Sequence, residues 1–286
     1  MSSLRQQMIE LMVLCGFAKT TQTTYLGQIK QLAKYFNRSP DLISEDDLRK
    51  YMLHLHLDKH WSHSSCRQFI HAARFLYDRV LEKPISRKKL PFPKKVTKIP
   101  ELLSRLEVQR IIQHCENDKH QTALMVIYAT GIRVSELRAL KVGDLDGERS
   151  VIKIRAGKGK KDRLVDFTDG LKQCLRPYWR EYRPRNYLFY SCSKQQPYTT
   201  STFQRVYQRA KTSAKITKQG GIHALRHAYA THQLEAGMPL SRLQQALGHK
   251  QISSTLRYTH WVRSQNEHSV EPFDLLVSSI KSIKKQ

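Results

Sequence analysis

The sequence predicts a mainly α-helical protein of two parts: an N-terminal helical bundle, and a larger helical domain with a small antiparallel β-hairpin. Apolar residues recur at helical spacing over most of the 286 residues. A basic stretch with prolines, residues 83–99, interrupts that pattern. Beyond it, residues 151–154 alternate in polarity and return as 163–167, which is typical of a hairpin. We therefore divide the chain into 1–82, 83–99 and 100–286.

The N-terminal part, residues 1–82, contains four predicted helices. Helical spacing of apolar residues defines two of them between residues 4 and 36. Ser44, followed by Asp47, fits a capping box that starts the third helix, and residues 62–81 form the fourth. So many helices in so short a stretch predict a small bundle.

A group of histidines in this bundle invites a metal-site interpretation. They are His54, His56, His60, His63 and His71. Their spacing fits no closed ligand set, and no acidic residue or cysteine completes one. We therefore predict no metal here. The chain carries a net charge of +26, which favours a polyanionic partner such as DNA, so we favour surface or DNA-facing roles for these histidines.

Residues 83–99 are predicted to form an extended linker. Proline disfavours a helix in this stretch, and its many lysines and arginines disfavour burial. A basic linker between two basic domains could follow a phosphate backbone, so that the domains close on opposite sides of a duplex.

The second domain begins with a capping box, Ser104 and Glu107. The apolar segment 122–129 predicts a buried helix that ends near Gly131. Further helices are predicted at residues 104–115, 171–182, 200–214 and, in the C-terminal tail, 271–281. The hairpin tip, 156–162, is rich in glycine and lysine but lacks the GxxxxGK spacing of a phosphate-binding loop, so we predict no nucleotide site.

Composition predicts a polyanionic partner. Lysine and arginine number 50 against 24 acidic residues, a net charge of +26, which favours nucleic acid. The sequence contains no run of 18 apolar residues, so no membrane span is predicted. The N-terminus does not fit a signal peptide. The 5 cysteines are scattered without a CxxC pair, which argues against zinc and disulfides. These features predict a cytoplasmic protein associated with the bacterial nucleoid.

The candidate catalytic residues centre on the stretch from His223 to Tyr258. His223 and Arg226 are three apart and share a helix face, and Gly237 and Gly248 fit helix ends. The unusual polar residues of the second domain are Arg133, Lys158, His223, Arg226, His249 and Tyr258. No carboxylate cluster suited to Mg²⁺ or Zn²⁺ accompanies them, so we predict neither a metal nor a cofactor.

This set suits attack by a tyrosine on a phosphodiester. Guanidinium groups can bind the two non-bridging oxygens bidentately as negative charge builds on them. A phenol with a pKa near ~10 needs cations or a base around it, and His223 could accept its proton. A lysine at the hairpin tip could protonate the leaving oxygen.

The motifs TGIRVSEL, GKGKKDR, HALRHAYATHQLEAG, LGH and the tyrosine of STLRYTH resemble the tyrosine recombinase (phage integrase) family over residues 100–260. TQTTYLGQIKQLAKYF is similar to the opening helices of that family's SAM-like core-binding domain, which implies that residues 1–82 bind core DNA. The resemblance implies that Arg133 and Arg226 clamp the scissile phosphate. It implies that Lys158 is the general acid, that His223 assists proton transfer and that His249 forms a hydrogen bond to the transition state. Tyr258 would form a 3′-phosphotyrosine.

The resemblance also implies a reaction and an assembly. Four protomers would exchange strands of two double-stranded DNA sites through a Holliday junction without ATP, in integration, excision or resolution of a mobile element. The tail helix would dock into a neighbouring protomer, and accessory DNA-binding proteins could assist. The N-terminus and HALRHAYATH are also similar to integron integrases, but their extra segment has no clear counterpart between Phe167 and His223. Alternatives are a type IB topoisomerase-like enzyme and a non-catalytic DNA-binding protein of the same fold.

Several neighbouring residues compete for these roles. Lys160 and Lys161 could substitute for Lys158, whereas Tyr229 is predicted to pack inside its helix. Roles in ion pairs or helix capping, rather than catalysis, are predicted for Glu136 and Asp144. His227 and His232 are predicted to be structural or to contact phosphate.

Overall fold

The computed structural model describes residues 3–93, 101–155, 162–191 and 196–261. The chain divides into two compact units, Met1–Lys98 and Ile99–Gln286, each with its own apolar core. The described part is mostly helical with one small antiparallel sheet, which confirms the predicted fold class. Among the described helices, none is long and apolar enough to cross a membrane.

The first unit is built from helices alone in its described part. Its elements are α1 (Ser3–Leu14), α2 (Lys19–Phe36), a 3-10 turn (Pro40–Leu42), α3 (Glu45–Leu57), α4 (His63–Arg74) and a π-helical segment (Phe75–Val80). The predicted capping box starts α3, because the Ser44 hydroxyl accepts from the backbone N–H of Asp47. Leu32, Leu48 and Phe69 are fully buried where these helices meet.

The predicted linker was wrong for residues 83–93, which pack on the first unit. Ile85 and Leu90 are buried in its core. Arg74 donates hydrogen bonds to their backbone carbonyls at 2.9 and 3.3 Å. The cationic side chains of this stretch stay at the surface while its apolar residues turn inward, so its charge did not prevent burial. Residues 94–99 lie outside the described part.

The second unit holds the remaining helices and the sheet. Its elements are α5 (Arg105–Gln113), α6 (Asp118–Thr130), α7 (Val134–Ala139), a 3-10 turn (Val142–Asp144), β1 (Leu145–Asp146), β2 (Val151–Ile154), β3 (Arg163–Asp166), α8 (Asp169–Tyr182), α9 (Thr200–Ser213), α10 (His223–Glu235), α11 (Leu240–Leu247) and α12 (Ser253–Thr259). The predicted tail helix 271–281 and the hairpin tip with Lys158 lie outside the described residues.

The predicted hairpin is part of a sheet of three strands in the order β1-β2-β3. Its strands pair antiparallel, with Ile152 opposite Val165 and Ile154 opposite Arg163. Ile152, Ile154 and Val165 face the core, as alternation requires. The short β1 was not predicted, because two residues are too few to show the alternation of apolar and polar side chains that marks a strand.

Gly131 allows α6 to end against α10. Its φ of +64° lies in the left-handed region that favours glycine. A Cβ atom at this position would overlap the Tyr229 ring and approach its Cε1 to 2.6 Å. The carbonyl of the same residue accepts a hydrogen bond from Arg226. The turn therefore needs glycine for its backbone conformation and also for this close approach.

We expect Gly131→Ala to lower the free energy of unfolding by about 3 kcal/mol, because backbone strain adds to overpacking. Gly237 is a matched control: its φ is +84°, but no atom lies within 4 Å of the position that a Cβ would take there. Gly237→Ala should therefore cost only about 1 kcal/mol. Urea unfolding of both variants measures the difference, and equal costs would contradict the proposed overlap.

Candidate active site

Arg226 is the buried centre of the site. Its side chain leaves the first turn of α10, and the residue is only 4% exposed. One terminal nitrogen donates to the Gly131 carbonyl at 2.5 Å, and the other donates to the Leu247 carbonyl at 2.6 Å. Burial, reinforced by the charge of Arg133, lowers the pKa of Arg226 to about 10. The guanidinium therefore stays charged at neutral pH and is held by the ends of α6 and α11.

Arg133 lies at the start of α7, where Glu136 holds it. The Glu136 carboxylate accepts from the Arg133 backbone N–H at 2.8 Å and from its guanidinium at 2.9 Å. The carboxylate also accepts two hydrogen bonds from Arg163 on β3. The predicted capping and ion-pair role of Glu136 is confirmed, as is that of Asp144, which accepts from Lys141 and Arg155.

Two arginines keep the Glu136 carboxyl ionised. Burial alone would raise its pKa, but hydrogen bonds from Arg163 and from the Arg133 backbone, with both positive charges, lower it to about 2. A fixed negative charge thus lies between two guanidinium groups, so Arg133 is held in place and its charge is only partly neutralised.

His249 follows the left-handed turn at Gly248, where α11 ends. Its Nε2 lies 3.1 Å from Arg226, and its Nδ1 lies 2.9 Å from the Thr255 hydroxyl. A guanidinium only donates, so Nε2 accepts and the ring proton is on Nδ1. Burial first, then the charges of Arg226 and Arg133, lower the pKa of His249 to about 4. The ring is therefore neutral at pH 7.

Tyr258, on α12, is 2% exposed and turned away from solvent. Its hydroxyl lies 2.9 Å from His227 Nδ1, and the Trp261 and His249 rings pack on its own ring. Burial raises the pKa of Tyr258, although nearby arginines offset part of that shift. The phenol is therefore protonated at neutral pH, and its proton has an acceptor when His227 carries hydrogen on Nε2.

His227 itself is a neutral ring in this environment. Burial first, then the charges of His223 and Arg226, lower its pKa to about 4. His227 is four residues after His223, so the two rings follow one face of α10. His223 is more exposed, and burial with the charges of Arg226 and Arg133 lowers its pKa too.

The fold brings together most of the predicted residues. Contacts or charge effects join Arg133, His223, Arg226, His249 and Tyr258 in one region. Lys158 lies outside the described residues. Sequence reasoning did not anticipate Thr255 as the partner of His249, Arg163 as the second partner of Glu136, or His227 as the partner of the Tyr258 hydroxyl. Their residue types gave no signal of these contacts, which form between distant elements.

We expect His227→Phe to expose Tyr258. The change leaves the buried hydroxyl without its partner, and a cost of about 1.4 kcal/mol would raise the exposed population about tenfold. The nitration rate of the Tyr258 peptide measures this, with buried Tyr207 as internal standard. His232→Phe is the matched control, because it breaks the other histidine–tyrosine bond of α10, to Tyr128. Unchanged nitration of Tyr258 in His227→Phe would show that the hydrogen bond between His227 and Tyr258 does not keep Tyr258 buried.

The arrangement can stabilise charge on a phosphate and supply an oxygen nucleophile. Arg226 and Arg133 bring two cations, His249 and His223 bring neutral imidazoles, and Tyr258 brings a phenol. Among the described residues, no three His, Cys, Asp or Glu side chains lie close enough to hold a metal ion.

The sequence is similar to known proteins over nearly all of its length. The pattern of the phage integrase family matches residues 101–264, more than half of the chain. The pattern of the phage integrase N-terminal SAM-like domain matches residues 4–87. A protein of Sinorhizobium fredii named as an integrase/recombinase is 36% identical over 277 residues, 96% of this chain and 90% of the relative.

Two further comparisons extend this finding. Tyrosine recombinase XerD of Staphylococcus saprophyticus is 31% identical over 270 residues, which cover 87% of this chain and 90% of that protein. A crystal structure of a lambda integrase dimer bound to a COC′ core site has a TM-score of 0.73 at 17% identity, over 88% of this chain and 96% of the other. An identity this low shows a shared fold alone.

Proposed function

Because this chain belongs to the phage integrase family, we propose that it is a site-specific DNA recombinase that cuts and rejoins DNA through Tyr258. One observation carries the proposal: a buried tyrosine lies in the same site as two arginines, Arg133 and Arg226, that can bind a phosphate. The net charge of +26 supplies the long-range attraction to DNA. The protein therefore binds DNA recombination sites as its substrate.

The proposed cleavage step follows from the chemistry of the site. The Tyr258 oxygen attacks the scissile phosphorus, its proton passes to His223, and the bond to the 5′-oxygen breaks. Arg133 and Arg226 bind the two non-bridging oxygens. After the His249 ring leaves Arg226, its proton moves from Nδ1 to Nε2, and the neutral ring donates from Nε2 to one of these oxygens. Lys158 protonates the leaving oxygen.

The covalent step conserves the energy of the broken bond. The product is a 3′-phosphotyrosine and a free 5′-hydroxyl, and attack by another 5′-hydroxyl reverses the chemistry. Religation therefore needs no ATP. Exchange of two strand pairs passes through a Holliday junction and serves integration, excision or resolution of a mobile element.

The proposed assembly is a homotetramer on two paired duplexes, in which residues 1–82 bind the core site and the catalytic domain covers the scissile phosphates. In the tail sequence, Phe273, Leu276, Val277 and Ile280 recur at helical spacing, and this apolar face would dock on a neighbouring protomer. Accessory DNA-binding proteins are further proposed partners of this assembly.

We expect truncation after Val270 to leave DNA binding intact and to prevent tetramer formation, because the apolar face of the tail is then missing. Binding to a single site is measured by gel shift, and assembly on paired sites by light scattering. A full tetramer formed by the truncated chain would contradict the proposed role of the tail.

A suicide duplex tests the proposed function. Duplexes that the protein binds are first selected from a random pool, and each is then nicked near the centre so that the 5′-hydroxyl strand diffuses away after cleavage. We expect a covalent adduct with Tyr258 on the 3′ side of the break, located by mass spectrometry. Absence of an adduct on a bound duplex, or an adduct on another tyrosine, would contradict the proposal. Plasmid relaxation without strand exchange between two sites would instead support a topoisomerase.

A further inference from the structure

We propose that Arg163 is a positioning residue for DNA cleavage, which fixes Arg133 through Glu136 and fixes the turn before His249 through the Ala246 carbonyl. This inference rests on the proposed function, since it concerns the same phosphate-binding site. Arg163 is not expected to touch the phosphate, because all three of its guanidinium nitrogens donate to protein groups, whereas among the described residues only the two terminal nitrogens of Arg226 do.

The contacts of Arg163 use all three guanidinium nitrogens. The two terminal nitrogens donate to the two Glu136 oxygens at 2.9 and 2.8 Å, in the bidentate geometry that binds carboxylates most strongly. The remaining nitrogen, Nε, donates to the Ala246 carbonyl at 2.8 Å. The Arg163 side chain is only 11% exposed and that of Glu136 only 10%. A pair so enclosed is screened little by solvent and has a defined geometry.

Glu136 transmits the position of Arg163 to Arg133. Its carboxylate oxygen that accepts from one Arg163 nitrogen also accepts from the Arg133 guanidinium. The two arginines thus lie on one carboxylate, and a shift of Arg163 changes where that carboxylate places Arg133. Both cations stay close because the negative charge lies between them.

Arg163 also contacts the turn that carries His249. A Cβ atom on Gly248 would lie 3.0 Å from the Cδ of Arg163, so the guanidinium and the turn are in close contact. The φ of Gly248 is +61°, a conformation that glycine adopts at little cost. The hydrogen bond from Arg163 to the Ala246 carbonyl and the contact at Gly248 together fix the backbone directly before His249.

The position of Arg163 in the chain gives this contact a further consequence. It is the first residue of β3 and pairs with Ile154. In sequence it follows, by five positions, the proposed general acid Lys158. Arg163 therefore connects the base of the hairpin to the elements that carry Arg133 and His249, three parts that must meet one phosphate.

Charged groups from several elements face Glu136. Arg133 lies on its own helix, Arg163 comes from β3, and Arg226 and His223 come from α10. Removal of Arg163 would leave the carboxyl with fewer donors and less positive charge, so its pKa should rise from about 2. Arg226 and Arg133 remain and limit the rise.

Two substitutions of Arg163 distinguish the effect of its hydrogen bonds from the effect of its charge. Arg163→Met keeps the length of the side chain but removes every hydrogen bond and the charge. Arg163→Lys keeps the charge but cannot form the bidentate pair and the carbonyl bond together. Arg155→Met is the matched control: it breaks an ion pair to Asp144 of 2.7 Å beside the same sheet, and the described contacts of Arg155 include no residue of the site.

Single-turnover adduct formation on the suicide duplex is the first readout. We expect Arg163→Met to slow it by roughly 100-fold and Arg163→Lys by roughly tenfold, because a displacement near 1 Å is costly in a positioned site. DNA affinity and the urea midpoint are measured for every variant, and duplex affinity should stay within about twofold since no phosphate contact is lost. Arg155→Met should cleave at the wild-type rate.

The titration of the Glu136 carboxyl is the second readout and does not depend on cleavage. It is followed by NMR of the full chain labelled with ¹³C-glutamate, with Glu136→Gln to assign the signal. We expect a pKa near 2 in the wild type, a rise of at least about one unit in Arg163→Met, and a smaller rise in Arg163→Lys.

The outcomes distinguish the proposals. Wild-type cleavage rates in a folded Arg163→Met protein would overturn the positioning role, as would slow cleavage with an unchanged Glu136 titration. A wild-type cleavage rate in Arg163→Lys would show that the charge of residue 163 is sufficient, and this would also overturn the positioning role. If the wild type itself forms no adduct, the proposed function fails, while the Glu136 titration still decides whether Arg163 holds that carboxylate.

Discussion

Replacing Arg226 with lysine is expected to slow adduct formation by about 100- to 1000-fold, the cost of removing a donor that stabilises developing charge. Lysine keeps the charge but presents a single ammonium, which cannot bind a phosphate bidentately. It also cannot donate to Gly131, Leu247 and the substrate from the same position. The measurement is single-turnover cleavage of the suicide duplex at saturating protein.

The same substitution should also destabilise the second unit, Ile99–Gln286. The Gly131 and Leu247 carbonyls accept hydrogen bonds from the two terminal nitrogens of buried Arg226. The single ammonium of lysine cannot reach both carbonyls, so at least one of them is left unpaired. We expect a loss of about 1–3 kcal/mol in the free energy of unfolding. Arg242→Lys is the control, since Arg242 forms an exposed ion pair with Asp166 and should change neither quantity. Wild-type cleavage by Arg226→Lys would contradict the proposed phosphate contact.

Replacing Tyr258 with phenylalanine is expected to abolish the covalent adduct, because the variant has no oxygen at the position of attack. The fold should persist: the ring still packs against His249 and Trp261, and only the bond to His227 is lost. That loss costs about 1–2 kcal/mol. Gel electrophoresis of the protein–DNA product after denaturation measures the effect.

Tyr229→Phe is the matched control for Tyr258→Phe. Tyr229 is also buried on the same core cluster, but its ring packs over Gly131. Its variant should form the adduct at the wild-type rate. An adduct that persists in Tyr258→Phe would assign the nucleophile elsewhere and overturn the proposed mechanism.

The burial of Tyr258 bears on how the proposed cleavage begins. Tyr258 is only 2% exposed, so the proposed attack on a phosphate requires α12 or the turn before it to move. In this structure, Tyr258 contacts His227 and His249 contacts Arg226. Each contact occupies an atom that the proposed reaction requires, so both contacts must break before the proposed cleavage.

Much of the fold was predictable because its signals are local. Ser44 and Ser104 start helices through capping boxes whose partners lie three residues ahead. Gly248 ends α11 because a left-handed turn favours glycine. The linker was wrong between 83 and 93 because burial of Ile85 and Leu90 depends on space offered by distant helices.

The sequence by itself determined the two-part helical architecture and the set of residue types suited to phosphate chemistry, because spacing and side-chain chemistry are properties of the chain. Only the tertiary structure decided which of these residues contact one another. His227, rather than His223, meets the Tyr258 hydroxyl, and Arg163 shares Glu136 with Arg133. Such pairs join residues 27 or 31 positions apart, and no local spacing rule can encode a contact made by folding.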